Sequence, residues 1–198
     1  MSGIISDNVL KQSGLIKASA GGAWTFLSKV TASSSSDVSF TSGIDSTYGV
    51  YVFTFNNIHP ATDGAILSVN FRDGSTAYDA TKTSTFFEAY HNESGSATSL
   101  GYETSHDLAQ GTGIQSLGYI GNGNDESLAG TLYLYNPSNT TFVKHFIARM
   151  QGYHNSDLAL TSYVAGYCNV TAAIDGVQFS MSSGNIDAGD FCLYGITT

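Results

Sequence analysis

From residue 24 onward the chain is punctuated too often to hold long helices. Short runs rich in Val, Ile, Phe, Tyr and Thr are broken every few residues by clusters of Gly, Asn, Asp and Ser. β-Branched and aromatic residues fit a pleated surface, while the short polar residues and glycine supply turn geometry. The runs fall at 24–32, 37–40, 48–58, 65–72, 84–91, 114–120, 128–136, 141–151, 161–170, 174–181 and 190–196. They predict about eleven strands. Few stretches space their apolar residues at the 3.6-residue period of a helix.

Alternation sharpens several of these runs. In YGVYVFTF, Tyr51, Phe53 and Phe55 share one face and Val50 and Val52 the other. Both faces are apolar, which predicts a central strand covered on both sides. In GVQFSMSSG, Val177, Phe179 and Met181 alternate with Gln178 and Ser180, the pattern of a strand with one wet face. The runs 128–136 and 141–151 flank Pro-Ser-Asn-Thr and predict an antiparallel hairpin with a four-residue loop. Residues 92–120 are polar and Gly-rich and predict mostly loop, with Tyr102, His106 and Tyr119 as candidate residues of a surface recognition loop.

The expected fold is all-β: an antiparallel β-sandwich of jelly-roll type with about 8–11 strands. An immunoglobulin-type sandwich needs fewer strands and a shorter chain. No internal repeat points to a propeller or solenoid. Residues 1–22 differ from the rest: Ile4, Ile5, Val9, Leu10, Leu15 and Ile16 are interrupted by Ser-Asp-Asn and Ser-Gly. They predict an extended N-terminal arm making assembly contacts, ahead of one sandwich domain over 23–198.

Charge excludes some partners. The 198 residues carry a net charge of −9 with only seven Lys and Arg, too few and too scattered to replace counterions along a phosphate backbone. Nucleic acid and anionic membrane are therefore not expected partners. No signal-peptide pattern opens the chain, so synthesis and retention in a cytoplasm are expected. Two buried free thiols are expected of Cys168 and Cys192.

Catalytic patterns are weak. None of the histidines His59, His91, His106, His145 and His154 stands in a metal-protease spacing, and no G-x-S-x-G elbow occurs. His145 alternates with Val143 and Ile147, which predicts a core histidine. FFEAYHNE is the best acidic-aromatic cluster, read as an edge strand and its turn; convergence of Glu88, Glu93 and His91 would be needed for a hydrolase. The run 122–126 offers oxygen ligands but lacks the order of a calcium loop. No catalytic residue, metal or cofactor is expected. Twelve Tyr and eleven Phe set among Ser, Gly and Asn suit recognition by contact, or a sugar-stacking platform.

The segments FTSGIDSTYGVYVFTFNNIHPATDGA, FFEAYHNE, HDLAQGTG, GTLYLYNPSNTTFVKHF, SYVAGY, SSGNIDAG and the closing LYGI, with the opening SGIISDNVLKQSGLIK, give the chain a resemblance that runs from residue 3 to residue 196. It resembles small virion proteins encoded by tailed phages of marine and other aquatic bacteria. The resemblance implies a structural role in the virion, as capsid decoration or as a tail or fibre component. The expected partners of such a protein, on the sequence reading as a whole, are further copies of the chain as a homotrimer, other capsid or tail proteins, and host surface glycan in a fibre. It transfers no catalytic residues.

Overall fold

The computed structural model describes residues 24–197. The six apolar residues assigned to an arm lie outside the described residues. Within them the chain forms twelve strands: β1 (Trp24–Ser35), β2 (Asp37–Phe40), β3 (Val50–Pro60), β4 (Ala65–Arg72), β5 (Lys82–Asn92), β6 (Thr98–Tyr102), β7 (Gln115–Ile120), β8 (Leu128–Tyr135), β9 (Lys144–His154), β10 (Leu158–Cys168), β11 (Gly176–Met181) and β12 (Ile186–Ile196). They pair into an eight-stranded sheet, β1-β12-β3-β8-β9-β10-β5-β6, and a four-stranded sheet, β2-β11-β4-β7, antiparallel throughout. The expected β-sandwich is the observed architecture.

The inward faces carry the apolar half of each alternating strand. Phe179, central on β11, meets Phe55 and Phe53 of β3 at ring distances of 5.0 and 5.4 Å and Phe191 of β12 at 5.5 Å. Most of these pairs are edge-to-face, the arrangement favoured by ring quadrupoles. β3 is the expected central strand, with Tyr51, Val52, Phe53 and Phe55 all buried. β11 has the expected single wet face.

Between β7 and β9 the two layers approach closely. A Cβ on Gly152 would stand 2.4 Å from the backbone oxygen of Tyr119, so only glycine fits there without displacement. The backbone N–H of Gly121 donates to the carbonyl of Tyr153 at 3.0 Å just beyond this point.

Several expectations are corrected. The predicted loop over 92–120 contains β6, which pairs with β5 and leaves β5 inside the sheet, not on its edge. Its Ser-Gly-rich turn is organised by Asn92, whose Oδ1 accepts from the Ala97 N–H (2.8 Å) while its Nδ2 donates to Ser94 and Ser96. The β8–β9 hairpin exists, but the connection runs over 136–143. Asn136 turns left-handed (φ 48°) and ends β8 before the proline, and Asn139 Oδ1 caps the N–H groups of Thr141 and Phe142. His145 is exposed, because β9 turns Phe146, Ala148 and Met150 inward. Both cysteines are free, Cys168 buried and Cys192 half-buried.

Candidate contact surface and the polar cluster beside it

Register aligns the outward side chains of the eight-stranded sheet into rows. One row crosses seven strands: Thr85 (β5), Ala165 (β10), Ile147 (β9), Tyr133 (β8), Val52 (β3), Tyr194 (β12) and Phe26 (β1). Six interstrand steps of about 4.8 Å make it about 29 Å wide. Ile147 is 49% and Phe26 57% exposed. The next row begins Tyr102, Phe87, Tyr163, Arg149. Phe87 and Tyr163 stack at 5.0 Å with planes 10° apart, and the Arg149 guanidinium lies 5.5 Å from the Tyr163 ring centre. On the far side Trp24 packs on Tyr194 (5.4 Å) and Tyr133 (6.2 Å). Val52 at the middle of the row is fully buried, so the exposed apolar groups lie to either side of it, Ile147 and Phe87 on one and Phe26 and Trp24 on the other. Exposed apolar clusters of this kind mark contact surfaces. Few charges cross the face: besides Arg149, Lys29 is paired with Asp190 at 2.7 Å.

A different arrangement closes the mouth between β5 and β7. The segment after β6 is clamped by buried polar groups. Ser84 Oγ accepts from the Leu108 N–H (2.9 Å) and donates to Gln115 Oε1, while Gln115 Nε2 donates to the carbonyls of His106 and Ser116, both at 2.9 Å. His106 packs on Phe86 with ring centres 5.2 Å apart. Its Nε2 is hydrogen-bonded to Tyr119 Oη and its Nδ1 to Ser116 Oγ (3.2 Å). Burial pulls the His106 pKa down and pushes that of Tyr119 up, favouring the uncharged form of each. Glu88 on β5 stands directly opposite Ser162 on β10. Glu88 Oε2 and Ser162 Oγ are buried and have no protein partner. Burial, and then the charge of Glu103, push the Glu88 carboxyl up.

A carboxyl raised in the folded state stabilises fully at low pH and loses that contribution as pH rises through its folded value. Glu88→Gln, which removes the charge, is expected to raise the unfolding midpoint near neutral pH. The gain should shrink toward zero as pH falls below the ordinary value of 4.5. Thermal melts of both proteins across pH check it; an equal or lower midpoint for the variant at neutral pH would contradict the assigned burial.

The structure separates the three residues predicted for a recognition loop. Tyr102 belongs to the outer face, 50% exposed, its Oη donating to Asp107 Oδ2 at 2.6 Å. His106 and Tyr119 bind one another, half-buried at the mouth. Glu88 and His91 point to opposite sides of β5, so the hydrolase cluster of Glu88, His91 and Glu93 does not assemble. Glu126 folds back to accept from the Gly123 N–H, making 122–126 a closed polar turn. Among the described residues no group of three or more His, Cys, Asp or Glu is placed to hold a metal ion. Sequence reasoning missed Ile147, Tyr133, Tyr194 and Phe26 as one surface. Alternation marks each within its strand, but only register joins them.

No family model matches this chain, and no curated protein is similar to it.

Proposed function

We propose that this chain is a non-enzymatic structural protein of a tailed-phage virion, a capsid decoration or a tail or fibre component acting through protein–protein contact. The observation that carries the reading is the seven-strand row of side chains on the outer face, six of them apolar, with Ile147 and Phe26 standing half-exposed on either side of the buried Val52. A face about 29 Å wide, taken with the flanking rows that hold Phe87 and Trp24, covers roughly 600 Å², against the ~800 Å² per partner of a stable protein interface. Its stacked ring pair and Arg149 are the residue types that dominate such interfaces. The occupant is another virion protein, including further copies of the chain in a homotrimer, and the site of action is the particle, after synthesis in the host cytoplasm. The expected arm, with Ile4, Ile5, Val9, Leu10, Leu15 and Ile16, would add a second contact. The connectivity also supports a jelly-roll reading. The four-stranded stretch β1-β12-β3-β8 of the large sheet and the small sheet β2-β11-β4-β7 follow from one wound ribbon of nested pairs β1/β12, β2/β11, β3/β8 and β4/β7, with β9, β10, β5 and β6 extending the large sheet.

The test is incorporation into particles of the phage that encodes the chain. A Phe87→Glu/Ile147→Glu double variant buries two charges on docking, at more than ~1.4 kcal/mol, the equivalent of a tenfold change. Its copy number in purified particles is expected to fall at least that far, with the melting curve of the isolated protein unchanged. Full occupancy by the variant, or absence of the wild-type chain from purified particles, would refute the reading.

A second reading, binding of host glycan, is favoured by the half-exposed aromatic residues Tyr102 and Phe87 beside Tyr163 and Arg149, which offer apolar contact together with hydrogen-bond donors. Binding to a glycan array that disappears in Tyr163→Ala would support it.

A further inference from the structure

Lys82, at the start of β5, faces inward and is fully buried. Among the described residues it forms no ion pair. Its Nζ donates to Asn70 Oδ1 at 2.5 Å and to the Ala80 carbonyl at 2.7 Å. An ammonium has three protons to satisfy and a neutral amine two. The two acceptors therefore account for an amine and leave its lone pair unused. Desolvation acts in the same direction, bringing the Lys82 pKa down to about 8.

The carboxamide it meets is held in place. Asn70 is itself buried, 7% exposed. Its Nδ2 donates to the Thr112 carbonyl at 3.3 Å, and its Oδ1 accepts from the Phe71 backbone N–H at 3.1 Å. The Ala80 N–H donates to the Phe71 carbonyl, and Lys82 and Gly111 exchange two backbone bonds of 2.8 and 2.9 Å. Amine and carboxamide are thus fixed against each other where the start of β5 meets the end of β4.

We propose that Lys82 and Asn70 form a covalent isopeptide bond that joins β5 of the large sheet to β4 of the small one. The Nζ lone pair attacks Asn70 Cγ, and the charge gathering on Oδ1 faces the Phe71 N–H, a donor already in position. The carbonyl re-forms as the Cγ–Nδ2 bond breaks, and Nδ2 leaves as ammonia with a proton given up by Nζ. Lysine amine and asparagine carboxamide become one secondary amide and one ammonia, with no oxidant or cofactor. Spontaneous deamidation of asparagine expels ammonia from the same carbon. Fixed geometry raises the effective concentration of an amine to as much as ~10⁵–10⁸ M, and the reaction is needed once per molecule. Burial keeps out the water that would compete.

Peptide mapping of the purified full-length protein after incubation at mildly alkaline pH decides the matter. Trypsin cuts after Lys29, Arg72 and Lys82 in the unlinked chain, releasing 30–72 and 73–82 as separate peptides. The bond is expected to block cleavage after Lys82 and to yield one branched product joining 30–72 to 73–144, short of one ammonia. Asn70→Asp has no carboxamide nitrogen to expel and is expected to give the ordinary peptides at full mass. Separate peptides 30–72 and 73–82 at full mass from the wild type would overturn the proposal. So would ammonia loss confined to another site, such as Asn122-Gly123, with Lys82 cleaved normally.

Discussion

Replacing Phe179 by alanine is expected to cost the fold about 3–5 kcal/mol, the range for truncating a buried aromatic ring. Phe179 is fully buried at the centre of the small sheet and touches rings from β2, β3 and β12: Phe40, Phe53, Phe55 and Phe191. Beyond its buried area, each aromatic pair is worth about 0.5–1.5 kcal/mol. The four neighbours belong to both sheets and cannot all close on the vacancy without bending a strand. Against a total stability of ~5–15 kcal/mol, this is a large fraction. Urea unfolding should show a lower midpoint with an unchanged slope. Phe26→Ala, on the exposed edge strand β1, is the control and should cost less than about 1 kcal/mol. Equal losses for the two would mean that Phe179 does not join the layers.

The second large effect is expected at Gly152. In most strands alanine is favoured over glycine by about 0.5–1 kcal/mol, because glycine loses more backbone freedom on folding. Here the added Cβ would meet the backbone oxygen of Tyr119 at 2.4 Å. Backbone cannot turn aside as a side chain can. β7 must therefore lift from β9, and overpacking of this kind costs about 1–3 kcal/mol, occasionally more. Contact wins over propensity, and Gly152→Ala should be destabilised despite the better strand former. Lifting β7 also moves Tyr119 away from His106. The His106 ring resonances should therefore report the change even where the protein stays folded. A variant as stable as the wild type, with those resonances unmoved, would show that the layers are not in contact there.

How much of this was legible in the sequence differs from element to element. β3 could be read from its two apolar faces, and β11 from its strict alternation, because both signals are local. β6 could not: Thr-Ser-Leu-Gly-Tyr has little intrinsic strand preference and is held by β5 and by the Asn92 turn. β9 shows the limit of alternation. Phe146, Ala148 and Met150 compete with His145, Ile147 and Arg149, and both faces look half apolar. The mirrored choice sends His145 outward and buries Lys144, whose Nζ donates to the carbonyls of Asn139 and Val170. The recognition residues fared similarly. Tyr102 lies on the outer face, but His106 and Tyr119 are consumed in bonding each other.

By itself the sequence determined that this chain folds as strands, about how many, and which of them lie in the middle. Those properties depend on side-chain shape and on a period of two along the chain. Only the tertiary structure decided which strands are neighbours and in what register. Register alone lines up Ile147, Tyr133 and Tyr194 as one surface, and the tertiary meeting of the start of β5 with the end of β4 alone sets Lys82 against Asn70. A strand's own residues specify which of its faces can be buried. What that face meets is chosen by the total energy of the closed sandwich, and no local pattern carries that information.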